Sequence, residues 1–218
     1  MKTLLKIILL ILFVSCKAQT LTPLYNEGTL PYDGVHPNRY YKDVDNDFGP
    51  YVGTWKSEIG NTSLTIIFNK TINTPSGNGD YDDLLVGEYK YVENGVTLVN
   101  SFPTLMQDGT DGVPNIVHPA DPWLSNLSSI GIKTDTRGAP PCPECPANVR
   151  YINLGVSDPT RTNIHGGAKM VRFVENGVEK IRIRIYTTFV DNYTVDYSGP
   201  VKLNIPDNSI WTLTKVTD

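Results

Sequence analysis

The string Val-Glu-Asn-Gly-Val occurs twice, at residues 92–96 and 174–178, and each time it joins two runs in which apolar and polar side chains alternate. Asn-Gly supplies the positive backbone angles of a tight hairpin turn, so the flanking runs are predicted to be antiparallel neighbours. The first pair spans Leu84 to Val92 and Val96 to Val99; the second spans Val171 to Val174 and Val178 to Phe189. In the second return strand Ile181, Ile183 and Ile185 alternate with Arg182 and Arg184, which predicts one buried face and one wet face. Leu64, Ile66 and Phe68 repeat the period after the turn Gly60-Asn61. A last hairpin is predicted from Val201–Ile205 and Ser209–Val216 around Pro206-Asp207-Asn208, with Trp211 and Leu213 on one face. The repeated string is short enough to be recurring turn chemistry rather than a duplicated unit. No long helical period stands out, and the 18 Gly, 16 Pro and 12 Tyr suit a turn-rich β protein.

Two stretches break this pattern. Residues 17–48 are rich in Pro, Asn, Asp and Tyr with few aliphatics, and read as a tether or a wrapping segment whose tyrosines dock onto the domain. The folded unit is then 49–218. Between Asn100 and Asn148 lie Pro103, Pro114, Pro119, Pro122, Pro140, Pro141, Pro143 and Pro146, and only Trp123–Leu127 and Ser129–Lys133 suit short regular pieces. A loop of that length is either functional or holds strands that the pattern hides.

The amino end carries an address. Lys2 and Lys6 precede the apolar run Ile7 to Val14, which is shorter than the roughly 20 residues a spanning helix needs. Phe13-Val14-Ser15-Cys16 resembles the lipobox of bacterial lipoproteins, with Phe13 in place of the usual Leu. The resemblance implies removal of residues 1–15 and acylation of Cys16; ordinary secretion is the alternative. At about 0.8 kcal/mol per buried methylene, two or more acyl chains make a stable membrane anchor. Lys17 follows the Cys without an acidic cluster, which by resemblance to lipoprotein sorting rules favours the periplasmic leaflet of the outer membrane. Without Lys2 and Lys6, Lys and Arg fall from 19 to 17 against 23 Asp and Glu, a net charge of −6 that disfavours nucleic acid as a partner.

Gly53-Thr54-Trp55 opening a strand, successive hairpins, and Lys215 near the end of the last strand resemble the calycin plan of lipocalin-like proteins. That resemblance implies an all-β fold, an antiparallel up-and-down barrel or strongly curved sheet with long irregular loops. Its base is closed by the Trp of a Gly-x-Trp motif with a basic side chain packed against it. A core Trp and a strand-edge Lys in an antiparallel sandwich is the alternative. The layout also resembles uncharacterised lipoproteins of the Bacteroidota, which implies no activity.

Candidate chemistry is sparse. Cys142 and Cys145, in Pro-Cys-Pro-Glu-Cys-Pro, suit a local disulfide in an oxidising envelope. A redox motif and a zinc site with His118 and His165 are the rival readings; the first lacks a strand-helix-strand context and the second a paired ligand spacing. Residues 43–49, Asp-Val-Asp-Asn-Asp-Phe-Gly, place carboxylates at alternate positions as calcium loops do, but Phe48 and Thr54 stand where such a loop wants Gly and Glu. A solvated acidic turn capping the barrel is the plainer reading, and Asp108-Gly109-Thr110-Asp111-Gly112 also reads as turn residues. Asp82-Asp83 read as solvated, His36, His118 and His165 as surface positions, and Arg182 with Arg184 as an outward face or a basic stripe. No nucleophile elbow, paired-histidine metal motif or phosphate loop occurs, so no catalytic residue, metal or cofactor is assigned. The expected function is a non-catalytic binding module. It takes a small apolar ligand in the barrel mouth or a protein partner on the central loop. A structural or assembly role, or an enzyme whose site forms only in three dimensions, are the alternatives.

Overall fold

A computed structural model describes residues 19–25, 39–76, 79–107, 115–116, 121–134, 137–161, 163–190 and 201–217. The signal segment, Cys16, His36, the Asp108–Gly112 turn and His118 lie outside them. The strands are β1 (Thr20–Pro23), β2 (Arg39–Lys42), β3 (Gly53–Ile59), β4 (Thr62–Pro75), β5 (Tyr81–Glu93), β6 (Val96–Asn100), β7 (Met106–Gln107), β8 (Asn115–Ile116), β9 (Leu127–Lys133), β10 (Tyr151–Ser157), β11 (Ile164–Glu175), β12 (Val178–Val190) and β13 (Ser209–Lys215). Eight of them, β3, β4, β5, β9, β10, β11, β12 and β13, close in chain order into an antiparallel up-and-down barrel.

Both Asn-Gly turns form as the sequence predicts, with φ of 51° and 81° at Asn94 and Gly95 and of 53° and 77° at Asn176 and Gly177. The register they set carries one apolar face around the whole sheet. Leu64 opposes Tyr91 and Ile66 opposes Tyr89 between β4 and β5, and Ile181 and Ile183 oppose Leu213 and Trp211 between β12 and β13. Leu127, Leu154, Met170 and Trp55 continue that face, and all are at most 1% exposed. These inward side chains belong to a single buried cluster. Gly87 lies on the same face, where a Cβ would meet the Ile67 carbonyl oxygen at 2.7 Å and the Phe68 ring at 2.8 Å. The missing side chain lets β4 and β5 draw together.

The structure decides two points the sequence left open and departs from the sequence reading at residues 201–205. The Pro-rich central stretch contains a barrel strand, β9, and its neighbour β10 completes the wall. Residues 201–205 are irregular rather than strand, because the Leu203 N–H binds the Thr187 hydroxyl and the Asn204 N–H binds the Asp158 carboxylate. Leu203 and Ile205, 4% and 1% exposed, instead wedge one barrel end, Leu203 lying over Gly166. The segment read as tether or wrap contributes β1 and β2, which pair in parallel with each other, and β2 pairs in parallel onto the first residues of β5.

Replacing Gly87 with Ala is expected to lower unfolding free energy by about 1–3 kcal/mol, since the added methyl meets backbone as well as a ring. Urea denaturation checks this; an unchanged midpoint would contradict the tight inward packing.

Candidate functional site

Residues 43–51 close the end of the barrel where β3 begins and β13 ends. Phe48 is fully buried there and Tyr51 nearly so. The Trp55 indole N–H donates to the Tyr51 carbonyl at 2.7 Å, and the Arg172 backbone N–H donates to the Tyr51 hydroxyl oxygen at 2.9 Å. Burial raises the Tyr51 phenol well above its ordinary pKa. Gly53, with φ of 121°, holds a backbone angle that L side chains rarely adopt, and the Lys215 stem passes 3.5 Å from where its Cβ would be. Lys215 Nζ then sits 5.4 Å from the centre of the Trp55 rings and 3.0 Å from Glu179. Arg172 and Lys215 together hold the Glu179 carboxyl below the usual carboxylate range.

The acidic turn expected to be solvated is instead built into this plug. The Asp43 side chain is fully buried and accepts from the Asp47 N–H at 2.7 Å, the Phe48 N–H at 3.0 Å and Lys70 Nζ at 2.7 Å. Arg150 bridges Asp45 and Asp47 at 2.7 and 2.5 Å and lies over the Tyr25 ring. The three carboxylates of the turn are thus paired with the cationic side chains of Lys70 and Arg150. Asp83 is also buried, at 1% exposed, where solvation was expected. Its side chain sits at the mouth of β5 and accepts from the Tyr40 hydroxyl at 2.5 Å and from the Asp43 and Asn73 N–H groups.

The wall forks where β5 passes from β9 to β2. Val86 and Gly87 pair with Ser128 and Leu127 of β9, but at Tyr81 and Asp82 the same edge of β5 pairs with β2 instead. Between these partners the Leu85 N–H is satisfied by the Ser129 hydroxyl at 3.0 Å. A cleft of about 180 Å³ fills the fork, lined by Leu24, Asp82, Leu84, Trp123 and Ile130. Trp123 stands on a short turn started by the Asp121 cap, its indole N–H fixed to the Pro75 carbonyl at 2.9 Å. Trp123 and Ile130 remain 43% and 61% exposed, so apolar surface surrounds the opening. A second, shallower depression of about 390 Å³ lies over the plug between Asp45, Asp47, Arg150 and Arg172.

A strap crosses the outer wall of β11 and β12. Cys142 and Cys145 are joined by a disulfide with Cα atoms 5.3 Å apart. The outward side chains Lys169, Arg184 and Arg182 reach its carbonyls at Arg137, Gly138 and Pro141, at 2.6, 3.5 and 2.7 Å. Arg182 also binds both Glu144 oxygens, at 3.0 and 3.1 Å, with its guanidinium 4.7 Å from the Phe173 ring centre. The arginines thus point outward, as the alternation predicts, but under the strap rather than into open water.

Of the sequence candidates, Gly53, Trp55 and Lys215 meet at the plug, and Cys142 and Cys145 meet in the strap. His165 is half-buried at the start of β11 and joins neither. Sequence reasoning misplaced Asp83 in solvent and gave no role to Lys70, Arg150, Ser129 and Trp123. Lys70 alone carried a signal, because it extends the inward series Leu64, Ile66, Phe68 where a cation needs a buried anion.

Lys70→Met is expected to cost about 3 kcal/mol, since it leaves the buried Asp43 carboxylate without its cation; urea denaturation measures it. The Tyr40 phenol is pushed up to about 12 by burial and by its bond to Asp83. Because the folded pKa is raised, its contribution to stability is intact below about pH 10 and fades as pH climbs through the folded value. A spectrophotometric titration should show one fewer ionisation near pH 12 in Tyr40→Phe; the loss of one near 10 would contradict the Asp83 contact.

No curated protein and no solved structure matches the chain. A family model described as a family of unknown function, DUF6705, matches residues 1–215. The chain, an eight-stranded barrel with its own side chains for a core, therefore belongs to the DUF6705 family.

Proposed function

We propose that this protein is a non-catalytic binding module of the bacterial cell envelope, anchored by acyl chains on Cys16, that recognises a partner on the outside of its barrel. The observation that carries this reading is the filled interior. The inward side chains of the described strands form one buried cluster, and both clefts described above open at its margin, one against Leu24 and the other against Tyr51 and Ile152. The mouth that the sequence reading reserved for a ligand is occupied by Phe48 and Tyr51 at one end and by Leu203 and Ile205 at the other. A barrel whose inward side chains pack into one buried cluster suits display of a surface rather than carriage of a guest.

The fork cleft is the part of that surface best shaped for recognition. A void of about 150 Å³ accommodates a benzene-sized group, so the 180 Å³ here fits one apolar side chain or small ring of a partner. Trp123 supplies a rigid aromatic wall already tied in place, which lowers the ordering cost of binding. The remaining features of the reading, residence at the periplasmic leaflet of the outer membrane and lack of catalysis, rest on the lipobox resemblance and on the sparse chemistry of the sequence.

Two measurements test the proposal. Fractionation with labelled palmitate should place the wild type in the membrane with label, and Cys16→Ser in the soluble fraction without it; an unlabelled, soluble wild type would overturn the anchor. Titration with small aromatic probes, followed by NMR, should shift signals of Leu84, Trp123 and Ile130 while leaving Met170 and Ile183 unmoved. Saturable shifts at Met170 and Ile183 would instead establish a ligand carrier.

A further inference from the structure

The strap is held by a small covalent ring. Glu144 lies inside the four-residue loop closed by Cys142 and Cys145, and Pro141 adjoins it, so the ring sets the direction of both acceptors that converge on Arg182. The Cys145 N–H closes the same turn on the Cys142 carbonyl at 3.1 Å. An isolated surface ion pair contributes little, so the grip on Arg182 depends on the ring keeping the Pro141 carbonyl and the Glu144 carboxylate together. Under the strap, Lys169 is 7% exposed, Val171 fully buried and Phe173 5% exposed, although all three point away from the barrel interior. The cysteines themselves are half-buried between exposed Pro141, Pro143, Glu144 and Pro146, open to an approaching thiol.

We propose that the Cys142–Cys145 disulfide is a site of thiol–disulfide exchange, and that its reduction lifts residues 137–146 off the cationic outer wall of β11 and β12. The reductant is a dithiol. One of its thiolates attacks a cysteine sulfur, the S–S bond breaks, and the departing protein thiolate takes up a proton. The second thiol of the reductant then displaces the mixed disulfide, leaving two protein thiols and an oxidised dithiol. With the ring open, Pro141 and Glu144 no longer share one orientation, and Lys169, Arg182 and Phe173 lose their cover. The barrel keeps its shape, because the ladders between β10 and β11 and between β11 and β12 do not pass through the strap.

The test is amine-reactive acetylation of the full-length mature protein, read by mass spectrometry at each lysine. Lys56, whose side chain is 44% exposed on β3, is the reference. Addition of a dithiol should raise the modification rate of Lys169 roughly tenfold, as local opening of a covered site does, and leave Lys56 unchanged. The double variant Cys142→Ser/Cys145→Ser should show the fast Lys169 rate without reductant. A Lys169 rate that is the same in oxidised, reduced and variant protein would overturn the proposal. A rise at every lysine together would overturn it too, because the disulfide would then support the whole fold rather than a local cover.

Discussion

Closure of this sheet runs through two narrow seams, and each rests on two residue pairs: Thr214–Lys56 and Lys215–Trp55 on one side, Val86–Ser128 and Gly87–Leu127 on the other. A barrel without closure leaves unpaired strand edges, so each seam needs reinforcement beyond its backbone ladder. At the first, the Val216 N–H extends the pairing to the Thr54 carbonyl, and Lys215 clamps Trp55 from above. At the second, side chains stand in for the backbone. The Ser129 hydroxyl accepts from the Leu85 N–H, and the Tyr89 hydroxyl crosses to the Ser157 carbonyl. The edge of β5 left over at both ends is taken by β2 and β6. Its outward residues Asp82, Leu84, Val86 and Glu88 are buried as a result, and the only break in the cover is the fork cleft among the described residues of that edge.

What the sequence made legible is what local chemistry decides. The Asn-Gly turns name their own hairpins, and strands with strict alternation such as Ile181–Ile185 name their own inward face. β9 is legible only as a short regular piece at Ser129–Lys133, because Ser128, Ser129 and Gly131 dilute its apolar series and the register slips beside Asn153. β10 carries a clean series, Ile152, Leu154, Val156, but no tight turn announces it. Leu203 and Ile205 alternate as a strand would, yet side-chain acceptors take the backbone donors and turn the segment into a wedge. β1 and β2 pair in parallel across long sequence separations, which leaves no local mark. The acidic turn was misread for a related reason: its partner cations, Lys70 and Arg150, lie 27 and 103 residues away in the chain.

The same logic bears on the proposed function. Each end of the barrel is shut by a segment with buried side chains, and the inward residues form one cluster, so the binding surface proposed above lies on the outer wall. There the chain shows two kinds of surface. One is the fork cleft, open and apolar, with Trp123 already fixed. The other is the cationic stripe of β11 and β12, covered by a loop whose grip centres on Arg182. Nothing in this arrangement needs an empty interior, and the packing of Trp55, Phe68, Tyr89 and Tyr91 argues against one.

The most direct measurement of that claim is methyl- and aromatic-resolved NMR of the isolated domain in water. A filled barrel predicts dense NOEs linking inward methyls of non-adjacent strands, Leu64, Leu154, Met170 and Ile183 among them, to the rings of Trp55, Phe68 and Tyr89, with no NOE from those methyls to water. Sparse cross-barrel NOEs together with strong water contacts at the same methyls would show a hollow, hydrated interior and contradict the account.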